Sequence, residues 1–316
     1  MGLAFALAGC GGDSASSPAV IRVGNAPITR EAVEHWTRAI ARGVVPGVMH
    51  DETHGTPRER ALAFLISSQW LRREADALGV SPSPGAVERV LDGRREANGA
   101  AEFEQSLRAS GQTLEDAKLE VQSELASAAI RRQVIAQAPA VSEADVRSFY
   151  KDHRRLFLIP ETRTVELLEN LPSPAAARAL VKRIGTGPEF SKKALHEQLQ
   201  PINSGERFET DVEQATRAAF LAPVGVPSAP LSLNKRWAVF IVRKVKPATF
   251  KPLAMVHAAI AEHVMADRRN ATLSAFTADY RKRWTARTNC RSGYVVQGCA
   301  QYKGPARPQP NPFPGE

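Results

Sequence analysis

Apolar positions along this chain change their period twice. Residues 20–23 (VIRV) read as a short strand, and Gly24-Asn25-Ala26-Pro27 as a turn. Thr29 can then cap a helix, with Ile28 stapled to Val33. Residues 43–56 carry Gly43, Pro46, Gly47 and Gly55 and predict a loop. A second helix starts at Thr56-Pro57 and runs to about Leu78, where Gly79 ends it. Its apolar residues, among them Leu62, Phe64, Ile66, Trp70 and Leu71, cover more than one face, which predicts a central position in a core. Helices are further predicted over 84–98, 101–110 and 113–136, the last with Leu114, Ala117, Val121, Leu125 and Ala128 at helical spacing. Ser142 and Asp145 have capping-box spacing, and Val141 can staple to Val146. The helix they open carries Val146, Phe149, Tyr150, His153 and Phe157 on one stripe, and Pro160 stops it.

From Thr162 the period shortens. TVELL at 164–168 reads as a strand, 174–184, 189–198 and 211–220 as helices, and 227–233 and 237–245 as strands joined by a turn at Asn234-Lys235. A long helix follows over 252–285, with Val256, Ile260 and Val264, then Phe276, Tyr280 and Trp284, recurring every four residues. Such a stripe needs a partner, so this helix is expected to return to the first helical section. GPARPQPNPFPGE at the end has five prolines and predicts an extended, disordered segment. The fold class is therefore α+β. We expect a leader and tether over 1–19, a helical domain over 20–160 and a small α/β domain over 161–248. A helix and cysteine loop over 249–300 completes the helical domain, and 301–316 form the tail.

Composition adds limits. At 316 residues, 43% hydrophobic and 24% charged, the chain has the balance of a globular protein with two or three domains. No stretch approaches the roughly 18 apolar residues that span a bilayer. The net charge of +9 is spread without a run, which favours anionic lipid headgroups or acidic polypeptides. No zinc-finger spacing, basic-region heptad or aromatic RNA-binding motif accompanies it, so no nucleic-acid partner is implied.

The cysteines lie at the two ends: Cys10 alone, and Cys290 with Cys299 in NCRSGYVVQGC. Such usage suits an exported chain, in which a lone core thiol risks wrong pairing. Cys290 and Cys299 enclose eight residues, and a disulfide is expected; a two-thiol metal site would lack nearby ligands to complete it. Leu7-Ala8-Gly9-Cys10 resembles the lipobox of bacterial lipoproteins, in which the thiol takes a diacylglycerol. The apolar run before it is short and lacks a preceding basic residue, unlike a complete signal; the alternative is an ordinary N-terminus. His50-Asp51-Glu52-Thr53-His54 has its Glu displaced by one from a zincin motif and is flanked by Gly and Pro, so it reads as a polar loop. His257 and His263 are six apart and diverge on a helix. No G-x-S-x-G, P-loop or Rossmann glycine pattern is present, and no cofactor or metal is implied.

The order of pieces resembles the extracytoplasmic foldases typified by PrsA and SurA. VIRVGNAPITREA at 20–32 looks like the opening of their chaperone domain, and VSEADVRSFYKDHRRLFLIP at 141–160 like the helix leading into their parvulin-type peptidyl-prolyl isomerase domain. Gly187-Pro188-Glu189-Phe190 with Ala194, then FLAPVGVP at 220–227, then WAVFIVRKVKPA at 237–248 look like successive parvulin elements. The resemblance implies a SurA-N-like helical chaperone domain and a parvulin-like domain. With the lipobox-like Cys10, it implies a lipid-anchored, extracytoplasmic chaperone that binds exposed apolar segments of unfolded or newly exported polypeptides in a cradle built by the helical section. Parvulins carry a His on the first strand and another on the last; here Glu166 or a neighbour, and Ala238, stand there. The middle segment HEQLQPINSGERF has no match for the family's Asp or Cys, and His196 falls on an expected helix. Isomerase activity is thus expected to be weak or absent, with no catalytic residue assigned. Phe220, Trp237 and Phe240, with Glu166, are candidates for a peptide groove; the alternative is that the aromatics are core. A working isomerase, and a structural envelope lipoprotein with one fixed partner, remain the rival functions.

Overall fold

The computed structural model describes residues 18–47, 55–201 and 211–314. Cys10 and the His50–His54 loop lie outside the described residues. The chain divides into two compact units, one formed by residues up to Ala140 and from Met265 onward, the other by Val141–Val264.

The first unit opens with β1 (Ala19–Val23), β2 (Ala26–Thr29) and α1 (Arg30–Ala41), where the Thr29 hydroxyl accepts from the Ala32 N–H. Next come α2 (Pro57–Leu78), α3 (Pro84–Asn98), α4 (Ala100–Ser110) and α5 (Leu114–Ile135). Capping boxes start two of them, Thr56 with Glu59 on α2 and Thr113 with Asp116 on α5. As its all-round apolar pattern requires, α2 sits at the centre, with ten buried residues facing several neighbours. Trp36 of α1 packs on Phe64 of α2 with ring centroids 4.3 Å apart.

Between α1, α3 and α5 lies a group of ionisable side chains. His35 Nε2 is 2.7 Å from Asp116 Oδ2, Arg94 pairs with Glu124, and the Gln112 amide donates to Glu120 Oε1 at 2.6 Å. Burial pushes the Glu120 carboxyl up to about 7; the Gln112 bond and Arg94 oppose this, and the Glu124 and Asp116 carboxylates add to it. A group whose folded pKa is raised stabilises the fold fully below its unfolded value, and that contribution is lost as pH rises through about 7. Replacing Glu120 with Gln should therefore stabilise the protein at pH 8, by about 1–3 kcal/mol, and leave it unchanged near pH 4.5. Urea midpoints at the two pH values check this.

The second unit contains α6 (Glu143–Asp152), a 3-10 turn at Arg154–Phe157, β3 (Leu158–Ile159) and β4 (Thr162–Leu171). Then come α7 (Pro174–Ile184), α8 (Pro188–Lys193), β5 (Leu195–Leu199), α9 (Asp211–Leu221), β6 (Leu231–Leu233), β7 (Arg236–Lys246) and β8 (Thr249–Phe250). Its main sheet is antiparallel in the order β5-β4-β7-β6. Asn234 and Lys235 both have positive φ, 53° and 63°, as a tight hairpin turn between right-twisted strands requires.

One expected helix is partly a strand. Residues 189–198 stop being helical at Ala194, which is extended, and LHEQL pairs along β4 as an edge strand. The β4 edge offers unpaired backbone groups, and satisfying them outweighs the helical propensity of a short segment. His196 is consequently on β5. The unit also extends further than the expected 161–248: it takes in α6 and the start of the long helix, and β3 pairs with β8.

The long helix α10 (Leu253–Ala286) groups with the second unit up to Val264 and with the first unit from Met265. It leads into β9 (Thr288–Cys290), which pairs antiparallel with β1. Tyr280 and Trp284 join the core built by α1, α2 and α5. The Cys290 and Cys299 sulfurs are at bonding distance, 1.99 Å, and Cys299 is buried. Closing this short loop contributes about 2–3 kcal/mol by chain entropy. Gly298 lies against α2: a Cβ there would stand 3.1 Å from the Ile66 side chain, a tight contact that a larger residue could make only if Ile66 shifted.

The expectation of a disordered tail is corrected. Phe313 is fully buried, with its ring centroid 5.1 Å from that of Tyr280 and 5.6 Å from that of Phe276. Composition pointed to disorder because prolines supply no backbone donors and little apolar area. A single aromatic anchor with side-chain donors for the free carbonyls is enough to order the segment.

Candidate functional site

The central strands of the second unit alternate their side chains between two differently covered faces. Val165 and Leu167 of β4 and Ala238, Phe240 and Val242 of β7 pack with Ala219 of α9. On the opposite face Leu168 and Ile241 pack with Phe190 of α8, flanked by Leu180, Val181 and Ile184 of α7.

Glu166 lies on the α8 face, 8% exposed, and is held from several sides. Arg243 Nε donates to its Oε2 at 2.7 Å, the Ser191 hydroxyl donates to the same oxygen at 2.9 Å, and His196 Nε2 is 3.7 Å from Oε1. Burial acts to raise its pKa. The hydrogen bonds from Arg243 and Ser191, and the charges of Arg243 and His196, outweigh that and lower it. Arg243 also donates to the Thr186 carbonyl, so this carboxylate ties β4, β7 and α8 together. It is engaged in structure on the face away from α9.

On the α9 face the first-strand residue that shares the side of Ala238 is Leu167, not Glu166. Ala238 is fully buried and Leu167 is 8% exposed. The described residues of this face therefore present neither an imidazole nor a thiol. Among its polar groups are Arg163, buried Thr216 of α9, Ser228, whose hydroxyl accepts from the Phe240 N–H, and, by strand alternation, Glu197 of β5, which is exposed and in register with Val165. Arg163 donates to the Ala219 and Ala222 carbonyls at 2.9 and 2.7 Å, closing the C-terminal end of α9 where the helix dipole favours a cation. Its guanidinium lies 5.4 Å from the Phe220 ring centroid. Immediately after Phe220 the chain exposes Leu221, Val224 and Val226, by 78, 55 and 49%. Val224 and Gly225 run against Val242 of β7, with the Gly225 N–H donating to its carbonyl at 2.9 Å.

The four residues singled out for a peptide groove are thus not all brought together. Phe220 and Phe240 are on the α9 side, Phe240 as core and Phe220 half-buried at its edge. Trp237 is half-buried and in register with Leu171 and Ser232; by alternation along β7 it points to the face of Glu166. Arg163 and Glu197 were missed by sequence reasoning. The period-2 pattern of β4 could have indicated the first, but nothing local separates β5 from a continued helix. The middle segment of the parvulin-like pattern lies partly outside the described residues.

Residues 141–258 match the model of one protein family, the PPIC-type PPIASE domain. The chain carries a parvulin-type domain. That domain corresponds closely to the second compact unit, including α6 and the first turns of α10. No curated protein matches the chain. Among solved structures, the chain is similar to two SurA-like chaperones of Campylobacter jejuni. One is 14% identical, with 87% of this chain and 99% of that chain covered and a TM-score of 0.37. The other is 11% identical, with 84% and 98% covered and a TM-score of 0.41. The foldase protein PrsA from Streptococcus pneumoniae is 13% identical, with 78% and 90% covered and a TM-score of 0.30.

Proposed function

We propose that this protein is an extracytoplasmic foldase that holds unfolded or newly exported polypeptides. Its parvulin-type domain binds extended chain with little or no isomerisation, and a lipid on Cys10 anchors it to the membrane. The observation that carries the reading is the α9 face of a family-matched domain, on which Leu167 and Ala238 pack together without an imidazole among its described residues, next to exposed Leu221, Val224 and Val226. Isomerisation must overcome roughly 18–20 kcal/mol of amide resonance. An enzyme lowers that barrier only by binding the twisted amide better than the planar one. An apolar strip holds both states about equally, which gives binding without rate. The lipobox-like Leu7-Ala8-Gly9-Cys10 and confinement of the other cysteines to one bonded pair support export and anchoring.

The test pairs two assays on protein starting at Gly11. On a panel of Xaa-Pro peptides no acceleration of isomerisation is expected, while aggregation of several unrelated unfolded proteins is suppressed. Clear acceleration would establish a working isomerase and overturn the binding-only reading. Suppression for a single protein and no other would point to a fixed-partner lipoprotein. Labelled fatty acid should be incorporated into the whole chain in cells and lost in Cys10→Ser.

A further inference from the structure

The segment 305–314 is seated on the helical unit in the manner of a bound peptide. Its carbonyls, not its side chains, make most of the polar contacts. The Ser127 hydroxyl on α5 donates to the Pro312 carbonyl at 2.6 Å, and Arg281 on α10 donates to those of Pro310 and Gln309 at 2.6 and 3.2 Å. Gln297 in the disulfide loop makes a reciprocal pair with the Arg307 backbone, 2.8 Å to its carbonyl and 3.1 Å from its N–H. The Asn311 side chain bonds both the N–H and the carbonyl of Phe313, which fixes a turn that presents the ring. Phe313 is the only fully inserted side chain among residues 305–314.

The seat borders an open surface depression. The depression, of about 600 Å³, lies beside the segment and is lined by Arg281, Lys282, Thr285, Gln297 and Gln309. Two of the donors that hold the segment, Arg281 and Gln297, therefore also face unfilled space.

We propose that this seat is a second polypeptide-binding site, and that 305–314 is its resident occupant, displaced by extended client segments that carry a proline-flanked aromatic. Donors that read backbone carbonyls do not discriminate by sequence, and proline-rich chain is already extended, with little entropy left to lose. An aromatic pocket supplies the selective contact. The resident segment lowers the apparent affinity for clients by the fraction of time it occupies the seat. The inference rests on the holding function proposed above and places part of that function on the helical unit.

The experiment uses the intact chain. Amide exchange is followed at Arg307 and Phe313, whose N–H groups are held by Gln297 and Asn311. A saturating unfolded client, or a peptide with a Pro-Phe-Pro centre in otherwise unrelated sequence, should raise exchange at both by about tenfold or more while α5 and α10 stay protected. The same peptide with Ala for Phe should not. In Phe313→Ala, the Pro-Phe-Pro peptide should bind about tenfold more tightly than to the unsubstituted chain. If clients bind and both amides remain protected, this inference fails and the holding function stands. If no client binds at all, both fail. A Phe313→Ala variant that does not fold leaves the exchange experiment on the intact chain as the deciding one.

Discussion

Replacing Glu74 with Ala should cost the helical unit about 3–5 kcal/mol, a large part of the stability of a typical domain. Glu74 is 2% exposed in the middle of α2. Arg283 of α10 approaches it with both terminal nitrogens, at 3.1 and 3.2 Å, and the Trp284 indole N–H donates to Oε2 at 2.6 Å. The bond to Glu74 raises the Arg283 pKa, as a mutually stabilised pair requires. Truncation to Ala leaves the buried indole without an acceptor and half of the ion pair without its partner, and it opens a cavity. Arg283 can still turn to Asp279 at 2.6 Å and to solvent, which keeps the cost at the lower end of that range. Glu74→Gln retains an acceptor for Trp284 and should lose about 1–3 kcal/mol. Urea denaturation followed by tryptophan fluorescence separates the two. Equal losses would show that charge, not the indole acceptor, holds α2 to α10.

Ala238→His should unfold the parvulin-type unit before it restores any isomerase activity. Ala238 is fully buried among Val165, Leu167, Phe240, Val242 and Ala219. An imidazole adds volume to a filled layer, at about 1–3 kcal/mol, and brings polar nitrogens among apolar side chains, at a further ~1–3 kcal/mol. The sum is comparable to the whole stability of a small domain. Amide exchange across β4 and β7 should accelerate, while α1, α2 and α5 stay protected. Recovery of isomerisation in a folded Ala238→His chain would mean that the domain still keeps an active-site cavity on this face.

Much of the fold was legible because its signals are local. Thr29, Thr56, Thr113 and Ser142 cap the helices that their positions announce, and each cap is satisfied within three residues. The all-round apolar pattern of α2 required a central helix, and α2 is central. The spacing of Cys290 and Cys299 allowed a bond, and the turn at Asn234-Lys235 marked its hairpin.

The candidate site was less legible. A sequence match places a His position to within one residue, but a single step along a strand moves a side chain to the other face. Glu166 thus belongs to the α8 side with Arg243, and Leu167 belongs beside Ala238. Residues 195–199 became a strand only because the β4 edge was open to them.

The sequence by itself determined where most of the helices begin, and that a helical section, a small α/β section and one more long helix follow one another. Only the tertiary structure decided that Glu74 is neutralised by Arg283, that Phe313 is buried against Tyr280, and which face each residue of β4 serves. The first set depends on caps, periods and turns within a few residues of one another. The second depends on groups up to 209 positions apart, whose burial and pairing exist only once the chain has closed on itself.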